Sequence, residues 1–147
     1  MNNHRTKTLA ALCCLSALGL FRAARGQDGS RSVWDGVYTE EQAKRGSDLY
    51  ATECSRCHGA TMTGGGEEAP PLAGPAFLAN WSGLTVGDLF ERVRITMPPN
   101  SPRRIAREKN VDILAHVLSV NAFPAGKAEL PQETERLKLI RIDATKP

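Results

Sequence analysis

Two thiols three residues apart, with an imidazole directly after the second, stand together at Cys54, Cys57 and His58. On one turn of helix these side chains share a face, so two thiols can bond neighbouring vinyl groups while the imidazole reaches iron. That is the spacing of covalent haem attachment. Two other chemistries also use paired cysteines. A thioredoxin-type redox pair belongs in a βαβ context, and no such alternation surrounds residues 54–58. A zinc site needs two further Cys or His ligands, and downstream of the motif only His116 is available. The sequence therefore predicts one haem c, held through Cys54 and Cys57, with His58 on the iron.

The opposite axial position decides between electron transfer and small-molecule chemistry, because an open iron binds ligands and a filled one does not. Met97 is the candidate for that position. It stands between an amphipathic segment and Pro98-Pro99, far enough from His58 in sequence for the chain to pass round the ring edge. Met62, four residues after His58, is still on the proximal side and reads as a gap-filling residue. His116 sits mid-helix on a face shared with leucine and reads as packing.

The elements that must position these residues are helical. Thr39 with Gln42 three residues on has the form of a capping box, and Ala43, Gly46, Tyr50 and Cys54 recur at helical spacing. Gly46 costs about 1 kcal/mol against Ala in a helix interior, which predicts close approach of a second helix there. After His58, glycines and prolines through Pro75 read as loop. Thr85 with Asp88 starts a second helix whose stripe is Leu89, Phe90 and Val93, and Pro98 ends it. A third helix runs from about Ala106 to Val120, with Val111, Leu114, Ala115 and Leu118 on its buried face.

Residues 1–26 read as a cleaved signal peptide. A positive start is followed by an apolar run from Leu9 to Phe21 and small residues at Ala24 and Gly26, and the run is too short for the roughly 20 residues of a membrane span. Four basic residues and no acid lie in that segment, so its loss takes the formal charge from +3 to −1. The basic excess then gives no support for nucleic-acid binding, and no stable membrane span is expected after signal removal. Two of the four cysteines lie in the same segment, leaving none for structural disulfides. Few aromatic residues are available for a large core, and a buried porphyrin would supply apolar mass. The expected organisation is a signal peptide over 1–26, a lead-in over 27–38, a haem domain over 39–125 and a tail over 126–147.

From about Glu40 to Phe123 the chain resembles the class I cytochromes c, the Met-His monohaem family. Gly46 and Tyr50 are similar to that family's first-helix glycine and aromatic. Cys54 to His58 is its attachment motif, Met97-Pro98 resembles its axial-ligand loop, and Leu114 to Leu118 resembles its crossing helix. The resemblance implies an all-α fold of three to five helices and loops around one covalent haem. It also implies that the Pro70 carbonyl accepts the Nδ1 proton of His58, that Trp81 donates to a haem propionate, and that Leu72 and Phe77 wall the pocket. His116, where relatives often have an aromatic residue, and Ala106-Arg107, in place of a polar cap and acidic first turn, depart from the pattern.

The function this implies is single-electron transfer in the periplasm or outside the cell, between a dehydrogenase and a downstream oxidase or carrier. It is a carrier rather than an enzyme. The alternative is a haem enzyme, or a gas or peroxide sensor, with a labile sixth ligand. The Trp34 to Tyr38 lead-in and the tail through Leu130-Pro131 are similar to cytochrome subunits of quinoprotein dehydrogenases, which implies such a dehydrogenase and a terminal oxidase as redox partners. The tail's Leu137, Leu139, Ile140 and Ile142 then form a docking strip, or else wrap back over the haem domain or stay disordered.

Overall fold

The computed structural model describes residues 30–65 and 69–147, and the expected leader lies outside them. Among these residues the order is β1 (Arg31–Ser32), a 3-10 turn (Val33–Asp35), α1 (Glu40–Glu53), α2 (Ser55–His58), α3 (Gly74–Trp81), α4 (Val86–Thr96), α5 (Arg107–Val120), α6 (Thr134–Leu137) and β2 (Ile140–Arg141). The class is all-α. Six helices replace the expected three to five, because α2 and α6 are single turns and α3 is an addition.

The frame is the crossing of α1 with α5. A Cβ on Gly46 would collide with the Asp112 carbonyl and press on the His116 Cβ, so only a glycine lets the two backbones meet. Around that point α1 buries Ala43 and Tyr50, and α5 buries Val111, Leu114, Ala115 and Leu118. His116 takes the aromatic's place in the crossing, its ring edge-on to Tyr50 at 5.7 Å between centroids. Burial pushes its pKa down, keeping the imidazole neutral among its neighbours.

Capping follows the sequence on α4 and half follows it on α1. Thr85 accepts from the Asp88 N–H at 3.1 Å while the Asp88 carboxylate accepts from the Thr85 N–H at 2.9 Å, which completes the box. Thr39 likewise accepts from the Gln42 N–H. The Gln42 side chain turns away instead. It is buried, and its amide accepts from the Leu130 N–H at 2.8 Å and donates to the Leu130 carbonyl at 3.4 Å. A buried chain crossing needs its backbone groups satisfied, and that demand outweighs the cap.

The tail wraps back, and the docking strip is not available: Leu130, Leu137, Ile140 and Ile142 are all buried, leaving Leu139 exposed. Each of these buried side chains contributes about 1.5–3 kcal/mol relative to an exposed one. β2 pairs with β1 in parallel, Arg31 opposite Ile140 and Ser32 opposite Arg141. Asp143 adds to this pairing by taking the Ser32 hydroxyl at 2.7 Å on its carboxylate and the Trp34 indole N–H at 2.9 Å on its carbonyl. Further along, Ile142 N donates to Leu84 O and Gly83 N donates to Ile142 O, both at 2.8 Å, which fixes the turn between α3 and α4. No helix of the described residues is long and apolar enough to cross a membrane.

Candidate functional site

Cys54 is the joint between α1 and α2. Its N–H still donates to Tyr50 O at 2.9 Å, closing α1, while its carbonyl accepts from Cys57 N at 3.2 Å and His58 N at 3.0 Å, opening α2. The backbone bends at Cys54 (φ −125°), and α2 then presents Cys57 and His58 one turn further on. Cys54, Cys57 and His58 all line one cavity of about 580 Å³, a size within the range of about 300–1,000 Å³ of small-molecule and cofactor pockets.

The loop after His58 returns beneath it. Gly64 takes a positive φ of 84°, and a Cβ there would crowd the Ala69 carbonyl and the Pro71 ring. Gly64 N donates to His58 O at 3.0 Å and Leu72 N donates to Met62 O at 2.9 Å, so the chain doubles back with Met62 buried inside the bend. The doubling brings Pro70 O to 3.0 Å from His58 Nδ1. A carbonyl only accepts, so Nδ1 carries the proton and Nε2 keeps its lone pair. Such a bond orients an imidazole ligand and raises its basicity.

Across the cavity, Leu89 and Val93 of α4 form part of the wall and Met97 follows at the helix end. Met97 N donates to Val93 O at 2.8 Å and the residue itself is extended (φ −117°, ψ 145°), the conformation a following proline imposes. Ile113, Leu114 and Val117 of α5 close the far side, making the lining predominantly apolar.

Seven of the eight residues the sequence singles out therefore share one cavity: Cys54, Cys57, His58, Pro70, Leu72, Trp81 and Met97. Phe77 does not. It is wholly buried in the core beside Trp81, at 6.5 Å between ring centroids, and presents no surface to the cavity. Trp81, half-buried, lines the cavity as a residue of α3.

Arg92, Thr96 and Asn121 are among the cavity and supporting residues that escape the sequence. Arg92 and Thr96 lie one helical step from Leu89 and Val93 and also line the cavity; the 89, 92, 93, 96 spacing carries that signal. Asn121, at the end of α5, accepts from Gly74 N at 2.9 Å and donates to Leu72 O at 3.0 Å, fastening the loop that leads into α3. Nothing in its local sequence points to that role.

The thiol chemistry separates the readings of the cysteine pair. Burial first, and Glu53 second, push the Cys54 thiol up to about 11. A redox-active pair needs the opposite shift, since the thiolate is its nucleophile. Among the described residues no group of three or more His, Cys, Asp or Glu could hold a metal ion. What fits is a flat apolar group with two sites for thioether bonds and an iron: two thiols, an imidazole with a free Nε2 and a methionine all line one cavity whose walls are mostly apolar.

Fold and site together define a class I c-type cytochrome. Residues 41–117 match the family described as cytochrome C oxidase, cbb3-type, subunit III, and the chain belongs to that family. Membership implies covalent haem c and electron transfer. A comparison with curated proteins gave no match. Among solved structures, the sulfane dehydrogenase SoxCD from Paracoccus pantotrophus is similar at 22% identity and a TM-score of 0.47, over 84% of this chain and 68% of that one.

Proposed function

We propose that the chain is an exported monohaem electron carrier, periplasmic or secreted, which passes single electrons from a dehydrogenase of the quinoprotein type to a downstream oxidase or carrier. The observation that carries this reading is the convergence of His58 and Met97 on one apolar cavity whose rim holds both thiols. When bound, haem c supplies a one-electron ferric/ferrous couple.

The chain's own residues do the rest. Cys54 and Cys57, one turn apart, would provide the two thioether tethers that hold the group. His58 offers Nε2 because Pro70 O holds the proton on Nδ1. Met97 would offer a thioether, a soft ligand that favours ferrous iron and would raise the potential of a carrier. Leu89, Val93, Ile113 and Leu114 give the cavity apolar walls, which would limit solvent reorganisation on a change of charge there. Trp81, which also lines the cavity, would offer its indole N–H to a propionate.

Three measurements test the reading on protein expressed with a working cytochrome-maturation system. A pyridine haemochrome spectrum gives one haem per chain. Met97→Ala loses the far-red charge-transfer band of sulfur-ligated ferric haem, and a variant that keeps the band defeats the ligand assignment. Carbon monoxide binds the reduced parent slowly and incompletely at neutral pH; rapid, complete binding favours the enzyme or sensor instead. Export is read by cell fractionation with N-terminal sequencing of the product, and the donor by electron uptake from a reduced quinoprotein dehydrogenase.

A further inference from the structure

Arg107 opens α5, where a cation opposes the helix dipole and no side chain caps the helix. The structure supplies the reason for it. The Arg107 guanidinium reaches out of α5 to the tail, donating to Gln132 O at 3.2 Å and 2.8 Å and to the Thr134 hydroxyl at 2.8 Å. That hydroxyl donates in turn to the Glu91 carboxylate on α4 at 2.7 Å. Arg107 also lies over the Phe90 ring at 4.6 Å, and Glu91 is clamped from its own helix by Arg94 at 2.6 Å. One knot therefore joins α4, the start of α5 and the tail.

Its place in the chain matters more than its strength. Glu91 and Phe90 lie in the helix that ends at Met97, and Arg107 begins the helix that follows. The two helices that flank the segment 97–106 are thus tied to each other through Phe90, Glu91 and Arg107, and both are tied to the tail. The family match ends at residue 117, so Gln132 and Thr134 lie beyond the matched region. We propose that Arg107 and Thr134 are positioning residues for Met97: the knot sets the span of the 97–106 segment and so holds the methionine at the cavity wall. This rests on the reading of Met97 as the sixth ligand.

The test uses the holoprotein and four variants against the parent. Thr134→Val removes the hydroxyl bridge at nearly constant volume, Thr134→Ser keeps it, and Arg107→Ala removes the bonds to Gln132 and Thr134 and the contact with Phe90 while leaving Thr134 on Glu91. Arg45→Ala is the control. Arg45 ties α1 to Asp112 of α5 and to Glu129 of the tail by bonds of 2.9–3.0 Å, a knot of similar make that touches no part of the 97–106 segment. The readouts are the far-red band of the ferric form, the rate of carbon monoxide binding to the ferrous form, and the melting temperature. Thr134→Val and Arg107→Ala should weaken the band and raise the carbon monoxide rate on the order of tenfold, the equivalent of losing one charged hydrogen bond. Thr134→Ser should match the parent, and Arg45→Ala should lower the melting temperature alone.

The proposal is overturned if Arg45→Ala moves the band and rate as much as Arg107→Ala does, since the effect is then general loosening. It is also overturned if neither Arg107→Ala nor Thr134→Val moves them. Met97→Ala separates the two levels. If it abolishes the band while the knot variants change nothing, only the positioning role fails; if it leaves the band intact, the ligand reading fails first.

Discussion

Where α1 crosses α5, backbone meets backbone through Gly46; where α2 faces α4, about 580 Å³ of cavity lies between apolar walls. The same chain closes one contact by removing a side chain and holds the other open with a ring of large ones. Stability should therefore reside in the crossing and chemistry in the cavity. A substitution at the first should cost folding energy, and one at the second should change what the protein holds.

The sharpest way to break that contrast is at its narrowest point. Gly46→Val places side-chain atoms on the Asp112 carbonyl, an immovable neighbour, and should cost more than about 4 kcal/mol, so that little folded protein is recovered. Normal yield and melting temperature would show that the helices can part. Next comes a matched pair. Leu118→Ala, wholly buried behind the crossing, should cost about 2–5 kcal/mol in denaturant titration. Val93→Ala on the cavity wall should cost about 1 kcal/mol and instead shift the absorption maxima of the holoprotein; equal costs would dissolve the distinction.

Gln42→Ala probes how far the tail belongs to the crossing. It strips both backbone groups of Leu130 of their partner in a buried place, for an expected loss of about 1–3 kcal/mol. A loss below about 0.5 kcal/mol would mean that the tail holds on without it. The smallest effect lies at the cap of α4. Hydrogen bonds from Thr85 hold the Asp88 carboxyl below its ordinary value of 3.8. A depressed folded pKa gives stability that is present above 3.8 and lost as pH falls through the lower folded value. Asp88→Asn should therefore cost about 0.5 kcal/mol near neutrality, with the difference from the parent vanishing in acid. A constant difference down to the lowest pH at which the protein stays folded would assign the loss to something other than ionisation.

The crossing and the haem motif are legible in the sequence because each rests on short-range spacing. Gly46 announces a close contact by being expensive, and Cys54, Cys57 and His58 fall on one turn. Pro70 and Met97 come from the resemblance and from the placement of prolines, and the cavity gathers both. The helix Gly74–Trp81 is not legible as long as Gly74-Pro75 is read as a breaker, although proline belongs in a first helical turn. Phe77 follows from the same oversight. Once that segment coils, Phe77 points into the core and Trp81 takes the wall. Gln42, Arg107 and Asn121 are readable only in the folded chain, because their partners lie 88, 25 and 47 positions away. No local pattern encodes a hydrogen bond to a backbone group so distant.

The parallel pairing of Arg31 with Ile140 has a consequence for how the domain joins other things. The polypeptide enters and leaves at a single seam, with Asp143 stitched to Ser32 and Trp34. Parallel strands run the same way, so anything joined before β1 and anything joined after β2 would leave from opposite ends of one short seam, and copies can be strung head to tail without a linker stretched over the surface.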